Sequence, residues 1–307
     1  MFHALITDIT QAGGAAGRAH LVARGHSDRT LHAAVRAGVV ARPRRGWYSV
    51  WSDDDPRTHA LRIGGRLTGL SAIAAMGGWV HRRGRMHVAV PVNASRLRCP
   101  RRRAVSLSRS PRRSQVVLHW TRETHDRDVS TGTVGLIEAL EVLVATESLE
   151  DAVAAIDWAR RANLIDVIDL HALAARVPRR VRAAVWMSSD ACHSLPESLV
   201  RTRLVRRGLA VAEQVILASD PSPIDLVIEG VIGLEIDGDQ FHRDRFERDR
   251  DKDLAITVEG LHAIRPSARN VFSNWKRVET AIVSALRARG VELPPDPLVR
   301  AKNSGPR

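Results

Sequence analysis

The sequence predicts an α+β protein of several domains, and three observations carry that prediction. Short amphipathic helices and a strand pair fill the first fifty residues. A run of helix, three strands, helix and strand closes the chain, and a less regular section of mixed α/β pattern joins the two. At 307 residues the chain has room for two or three domains, and an apolar share of 44% with 26% charged residues is that of a folding sequence. The expected division is 1–52, 53–185 and 186–290, with 291–307 as a disordered tail.

Composition excludes several classes. The longest apolar run, 67–80, contains glycine and stops at His81-Arg82-Arg83, so no membrane partner is expected. Residues 1–10 lack a basic leader and include Asp8, which predicts a cytoplasmic protein. Two distant cysteines, Cys99 and Cys192, exclude a disulfide framework and a cysteine zinc site. The net charge of +13 is unevenly placed: residues 1–115 hold 21 arginines against five acids. The remaining two thirds are acidic or neutral. Genome composition explains arginine in place of lysine, but not that asymmetry. A polyanion is the expected partner of the basic third, and DNA is the one that fits, since no membrane-surface helix accompanies the charge.

Phe2, Leu5, Ile6 and Ile9 form one helical face, ended by Gly13-Gly14. A short helix over Arg18–Arg24 stops at Gly25. Ser27 is a good N-cap for a third helix, Asp28–Ala37, with Leu31 and Val35 inward. Val39–Pro43 and Gly46–Val50 are then expected to pair as a hairpin through Arg44-Arg45. Three short helices and a basic hairpin make a winged helix, whose third helix enters the major groove while the wing follows a phosphate backbone. Arg29, Thr30 and Arg36 are the expected DNA-facing set on the helix, with Arg42, Arg44 and Arg45 on the wing. The plainer alternative is a solvated helix beside a charged hairpin. Gly25-His26-Ser27 and Arg44-Arg45-Gly46-Trp47-Tyr48-Ser49-Val50 resemble the N-terminal domain of AbiEi-type antitoxins over about 50 residues. That resemblance implies a DNA-binding domain that represses its own operon, and a toxin-like partner protein.

In the middle section, Thr58–Met76 reads as one helix, and Met86–Pro91 and Gln115–Trp120 as strands. Between those strands lies a tract from Arg96 to Arg113 with eight arginines, expected to be a mobile loop with non-specific DNA affinity. Helices are expected around Leu136–Val144 and Leu149–Ala162, as packing elements.

The last section begins at Ser194-Leu195-Pro196-Glu197 and its helix, Ser198–Arg207. Strands follow at Ala210–Leu217, Ile224–Ile228 and Ile232–Ile236, then a charged helix 244–258, a strand Leu261–Arg265 and a helix Asn274–Arg287. The apolar residues of the two central strands share a face only if 226 pairs with 234 and 228 with 232. This register sets Asp225 opposite Glu235, with Asp237 next along that face, around a turn at Glu229-Gly230-Val231. Facing like charges destabilise a sheet, and a divalent cation would offset them; oxygen donors suit Mg²⁺, or Mn²⁺.

Paired carboxylates on adjacent strands resemble the metal site of PD-(D/E)XK nucleases. The wider spacing of Glu235-Ile236-Asp237-Gly238, His242, Asp249, Lys252-Asp253, Gly260 and Ile264-Arg265 resembles a domain related to very-short-patch repair endonucleases, over about 90 residues. Glu197 and Gln214 match positions used in that group. The resemblance implies a restriction-endonuclease-like αβββαβ domain and an endonuclease that hydrolyses phosphodiesters with Mg²⁺. Asp225 and Glu235 would hold the metal, and Asp237 would be a further ligand or orient the attacking water. His242 would take the water's proton or protonate the leaving oxygen, and Arg250 and Lys252 would bind phosphate. Asp stands at 237 where Lys is usual, which leaves the general base open.

Duller readings stand beside these. Glu197 completes a capping box with Ser194, and the alternating charges at 248–253 suit a solvated helix face. A non-enzymatic, antitoxin-like repressor with a degenerate nuclease fold is the competing function. No phosphate-loop, dinucleotide or zinc-protease motif occurs, and the sequence leaves the oligomeric state open.

Overall fold

The computed structural model describes residues 2–81, 84–122, 130–218, 220–237 and 246–294, with 246–249 as backbone alone. The protein is a mixed α+β chain with, among the described residues, three sheets of two, three and four strands. It divides into two compact units: Met1–Thr146 with Ala175–Val177, and Glu147–Ala174 with Pro178–Arg307. Among the described residues no helix is long and apolar enough to cross a membrane.

The first unit opens with α1 (His3–Gln11), β1 (Ala15–Gly17), α2 (Arg18–Ala23) and α3 (Asp28–Arg36), followed by β2 (Trp47–Ser49). Ser27 caps α3, accepting from the amide of Thr30 at 3.1 Å. Leu5, Ile9, Leu21, Leu31, Ala34 and Tyr48 close this core. Ala34, not Val35, is the fully buried partner of Leu31, because the inward face runs at a spacing of three there. The expected hairpin contracts to a single bridge between Ala41 and Ser49. Pro43 has no N–H with which to continue it, and β2 pairs instead with β1, Ala16 opposite Tyr48.

The helix expected over Thr58–Met76 is two helices, α4 (Pro56–Ile63) and α5 (Gly69–Ala75), separated by β3 (Arg66–Leu67). Gly64 ends α4 in the left-handed region at φ 119°. Gly65 then passes so close to β4 (Met86–Pro91) that a Cβ would lie 2.0 Å from the carbonyl of Ala89. β4 is antiparallel to β3 and parallel to β5 (Val116–Thr121), and α6 (Leu136–Thr146) follows. The arginine tract is folded, contrary to the mobile loop expected. Cys99 and Leu107 are buried, and the amides of Cys99 and Leu107 donate to the carbonyls of Val105 and Leu97, each at 2.9 Å. Two apolar anchors among the arginines are enough to fix the segment.

The second unit contains α7 (Leu149–Arg161), most of α8 (Val167–Arg176), α9 (Ala183–Trp186) and α10 (Leu195–Arg206). After these come β6 (Val211–Val215), β7 (Ile224–Ile228), β8 (Ile232–Leu234), α11 (Phe246–Val258), β9 (His262–Ile264), α12 (Ala268–Ser273) and α13 (Trp275–Ala288). The sheet order is β6-β7-β8-β9; the first two pairings are antiparallel and the last is parallel. Leu226 faces Leu234 and Ile228 faces Ile232, the register that the apolar alternation requires. Glu229 and Gly230 turn the hairpin at φ 52° and 67°. The residues of one sheet face, with α10 and α13, form a core of Leu199, Leu204, Leu226, Leu234 and Ile282. α12 was not expected; Ser267 caps it. Val291 and Leu293, at the start of the expected tail, pack on this core, and residues 295–307 lie outside the described residues.

Candidate functional site

Three acids of the second unit, Glu197, Asp225 and Glu235, lie close enough to act on one another's charge near the start of β7. Ser194 caps α10, and this brings Glu197 inward, 6% exposed. Glu197 Oε1 accepts from Ser194 Oγ at 2.7 Å. Its Oε2 accepts from the amide of His193 at 2.7 Å and from Gln214 Nε2 at 3.2 Å. The capping role anticipated for Glu197 is therefore realised. Gln214 itself sits at φ 48°, interrupting the β6–β7 ladder between the Glu213–Leu226 and Val215–Ile224 pairs. A left-handed backbone costs a residue with a Cβ about 1–2 kcal/mol.

Asp225 and Glu235 meet where the β7–β8 ladder ends. Their backbones are no longer paired there, and each side chain takes up an amide from the other strand. The amide of Asp225 donates to Glu235 Oε1 at 3.1 Å, and the amide of Ile236 donates to Asp225 Oδ2 at 2.8 Å. Both acids are largely buried, and Glu235 is 7% exposed. Burial, then the charge of Glu197, pushes the Asp225 carboxyl up to about 6. Burial and the charge of Asp225 likewise raise Glu235, and burial raises Glu197.

One cation joins them. Lys252 Nζ lies 2.7 Å from Glu235 Oε1 and donates to the carbonyl of Pro223 at 2.6 Å. The reason lies in α11. Gly233 leaves room for Ile256, whose Cγ2 would stand 2.7 Å from a Cβ at that position. Ile256 thus seats the helix on β8, and Lys252, four residues earlier on the same helical face, falls beside the end of that strand. Lys252 was expected to bind phosphate, not to neighbour the acids. The shared face of Lys252 and Ile256 is the sequence signal that could have found it.

Asp237 does not join the pair. It bridges to Ser267, beyond the end of β9, and ion-pairs with Arg265 Nη1 at 3.1 Å. The backbone keeps its two-residue alternation past Leu234, the amides of Glu235 and Asp237 donating to the carbonyls of Ile264 and Pro266; Arg265, and not the acid pair, takes up the Asp237 carboxylate, which corrects the expected cluster of three carboxylates. Arg265 also holds Asp253 of α11, at 2.8 Å through Nη2. Arg250 is exposed on the same helix. His242 and the side chain of Asp249 lie outside the described residues. The charge of His193 acts weakly to lower the Asp225 carboxyl, against the larger effect of burial.

Asp225 and Glu235 are the pair that could hold a hard cation, since Asp225 Oδ1 and Glu235 Oε2 accept no hydrogen bond among the described residues. Among the described residues no group of three or more His, Cys, Asp or Glu side chains is arranged to do so.

In the first unit, Arg29 and Arg36 are exposed on α3, while the hydroxyl of Thr30 lies 3.0 Å from that of Ser27 and belongs to the cap. Arg42 lies over the Tyr48 ring, its Cζ 5.8 Å from the centroid. Arg44 is half-buried and donates to the carbonyl of Ile63 at 3.0 Å, and Arg45 is exposed. The chain matches no family model, and no curated protein is similar to it.

Proposed function

We propose that the second unit is a metal-dependent phosphodiesterase of the PD-(D/E)XK type and that the first carries a winged-helix DNA-binding domain, giving a DNA endonuclease. The observation that carries the reading is the buried Asp225–Glu235 pair with Lys252 against it. An α-β-β-β-α-β order with a mixed four-stranded sheet supports the fold, and 21 arginines against five acids in residues 1–115 support DNA as the partner.

Asp225 and Glu235 fit Mg²⁺ or Mn²⁺, because such ions bind through one or two carboxylates and complete their shell with water and substrate phosphate. When bound, the ion supplies Lewis-acid polarisation of the phosphate and lowers the pKa of a water. Lys252 presents a positive charge where a phosphate oxygen would approach Glu235, and so stabilises charge that grows in the transition state. Its two hydrogen bonds hold that charge in place before substrate arrives. Gln214 and Glu197 tie β6 to the start of α10, and the charge of Glu197 helps to keep the Asp225 carboxyl raised.

The competing reading, an antitoxin-like repressor with a scaffold in place of a nuclease, is favoured by one observation: Glu197 spends both oxygens on the cap and on Gln214. Metal-dependent nicking of plasmid, compared with an Asp225→Asn/Glu235→Gln variant, separates the two.

A further inference from the structure

The folded arginine tract does more than add charge to the first unit. Its frame, buried at Cys99 and Leu107 with a bridge between Arg98 and Ser106, holds three arginines against the turn that carries Arg42, Arg44 and Arg45. Between them runs a groove of about 760 Å³. Arg42, Arg44, Arg45, Arg96, Arg98 and Arg103 line it with Arg62, and no acidic residue does.

Such a concentration of like charge opposes folding unless something outside the unit offsets it. Local compensation is slight. Arg62 is paired with Asp53, Arg44 is tied to the Ile63 carbonyl, and Arg103 Nη1 reaches the Arg42 carbonyl at 3.3 Å. Arg42 Nε is buried without a hydrogen-bond partner. Burial and the charge of Arg98 both lower the Arg44 guanidinium from its ordinary value. Arg96 holds a left-handed backbone, φ 58°, which a residue with a Cβ adopts only at a cost.

We propose that this groove binds the phosphate backbone of duplex DNA, as a second cationic track beside the exposed face of α3. This rests on the DNA reading of the first unit and adds where the backbone lies. Guanidinium forks match phosphate oxygens two at a time, and a row of them follows a row of phosphodiesters. The track is continuous with the helix: an adjoining groove shares Arg42, Arg62 and Arg103 and runs to Val35 and Gly38 at the end of α3. The arginine groove offers no aromatic ring on which an unpaired base could stack, and Trp51 of the adjoining groove is buried, so a duplex fits the track better than a single strand.

The test uses full-length protein, a random-sequence duplex and fluorescence anisotropy over a range of salt. Arg45, Arg96 and Arg103 are exposed and make few contacts, so Arg45→Gln/Arg96→Gln/Arg103→Gln should fold as the natural protein does, with a melting temperature no lower than its own. The expected result is weaker binding and a log K against log salt slope shallower by about 2 to 3, with the slope kept by the matching Lys variant. Charge reversal at Arg96 alone, Arg96→Glu, provides a second route and should weaken binding more than Arg96→Gln. Natural protein that binds, with a slope unmoved by the triple variant but reduced by Arg29→Gln/Arg36→Gln, overturns the groove and leaves α3 as the DNA face. Natural protein that binds no duplex overturns the DNA reading and the groove together.

Discussion

Lys252 and Glu235 come from different elements, yet the ammonium nitrogen stands 2.7 Å from Glu235 Oε1. The contact follows from one packing detail, the missing side chain of Gly233 that lets Ile256 seat the helix. The structure thus puts a lysine charge at the acids from the helix.

If Lys252 stabilises developing charge, Lys252→Met should lower kcat by about 100-fold or more, because removing one positioned donor costs roughly that. Lys252→Arg should recover part of it. Steady-state cleavage kinetics with both variants check this, and unchanged kcat in Lys252→Met would make the contact purely structural.

Asp225 titrates in the folded protein at about 6 and in the unfolded chain near 3.8. Between those values the folded state holds the extra proton, so stability without metal falls as pH rises from about 4 to 6. Asp225→Asn removes that penalty and keeps an acceptor for the Ile236 amide. The variant should be more stable than the natural protein at pH 7, by about 2 kcal/mol once partial exposure is allowed for. The gain should vanish near pH 3.5. Denaturant melts at the two pH values measure it.

The same variant should lose a metal response. Mg²⁺ or Mn²⁺ should raise the melting temperature of the natural protein, since a ligand of the folded state stabilises it by mass action. Asp225→Asn/Glu235→Gln should show no such rise in a thermal scan.

Arg265 is a positioning residue. It joins Asp237, beyond β8, to Asp253 on α11, the helix that carries Lys252. Arg265→Met should cost about 1–3 kcal/mol in stability and lower kcat more than it raises KM. Loss of stability with kcat intact would confine Arg265 to the fold.

The buried Asp157, fully inaccessible, accepts from Ser198 Oγ at 2.6 Å and pairs with Arg201 at 3.1 Å. Asp157→Ala leaves Arg201 with Glu213, at 3.4 Å, as its remaining carboxylate and leaves Ser198 Oγ without its acceptor. It should therefore cost about 1–3 kcal/mol, measured by denaturant unfolding.

How much of this was legible depends on the residue. The β7–β8 register could be read because a period of two with one apolar face admits a single pairing, and the facing of Asp225 and Glu235 came with it. Asp237 could not be placed, because nothing in the strand pattern shows that Arg265, 28 residues on, takes up its carboxylate. Thr58–Met76 looked continuous because its apolar spacing crosses Gly64-Gly65, and only the close passage of Ala89 reveals why the chain breaks there. The arginine tract looked mobile because charge outweighs two apolar residues in composition, though Cys99 and Leu107 suffice to anchor it. The left-handed backbone of Gln214 leaves no mark in the sequence at all.

The most direct measurement is cleavage of supercoiled plasmid by purified protein with Mg²⁺ or Mn²⁺. The natural protein should nick it, chelation should stop the reaction, and Asp225→Asn/Glu235→Gln prepared in parallel should leave the plasmid intact. Equal nicking by both preparations, or none by either with any metal, contradicts the account.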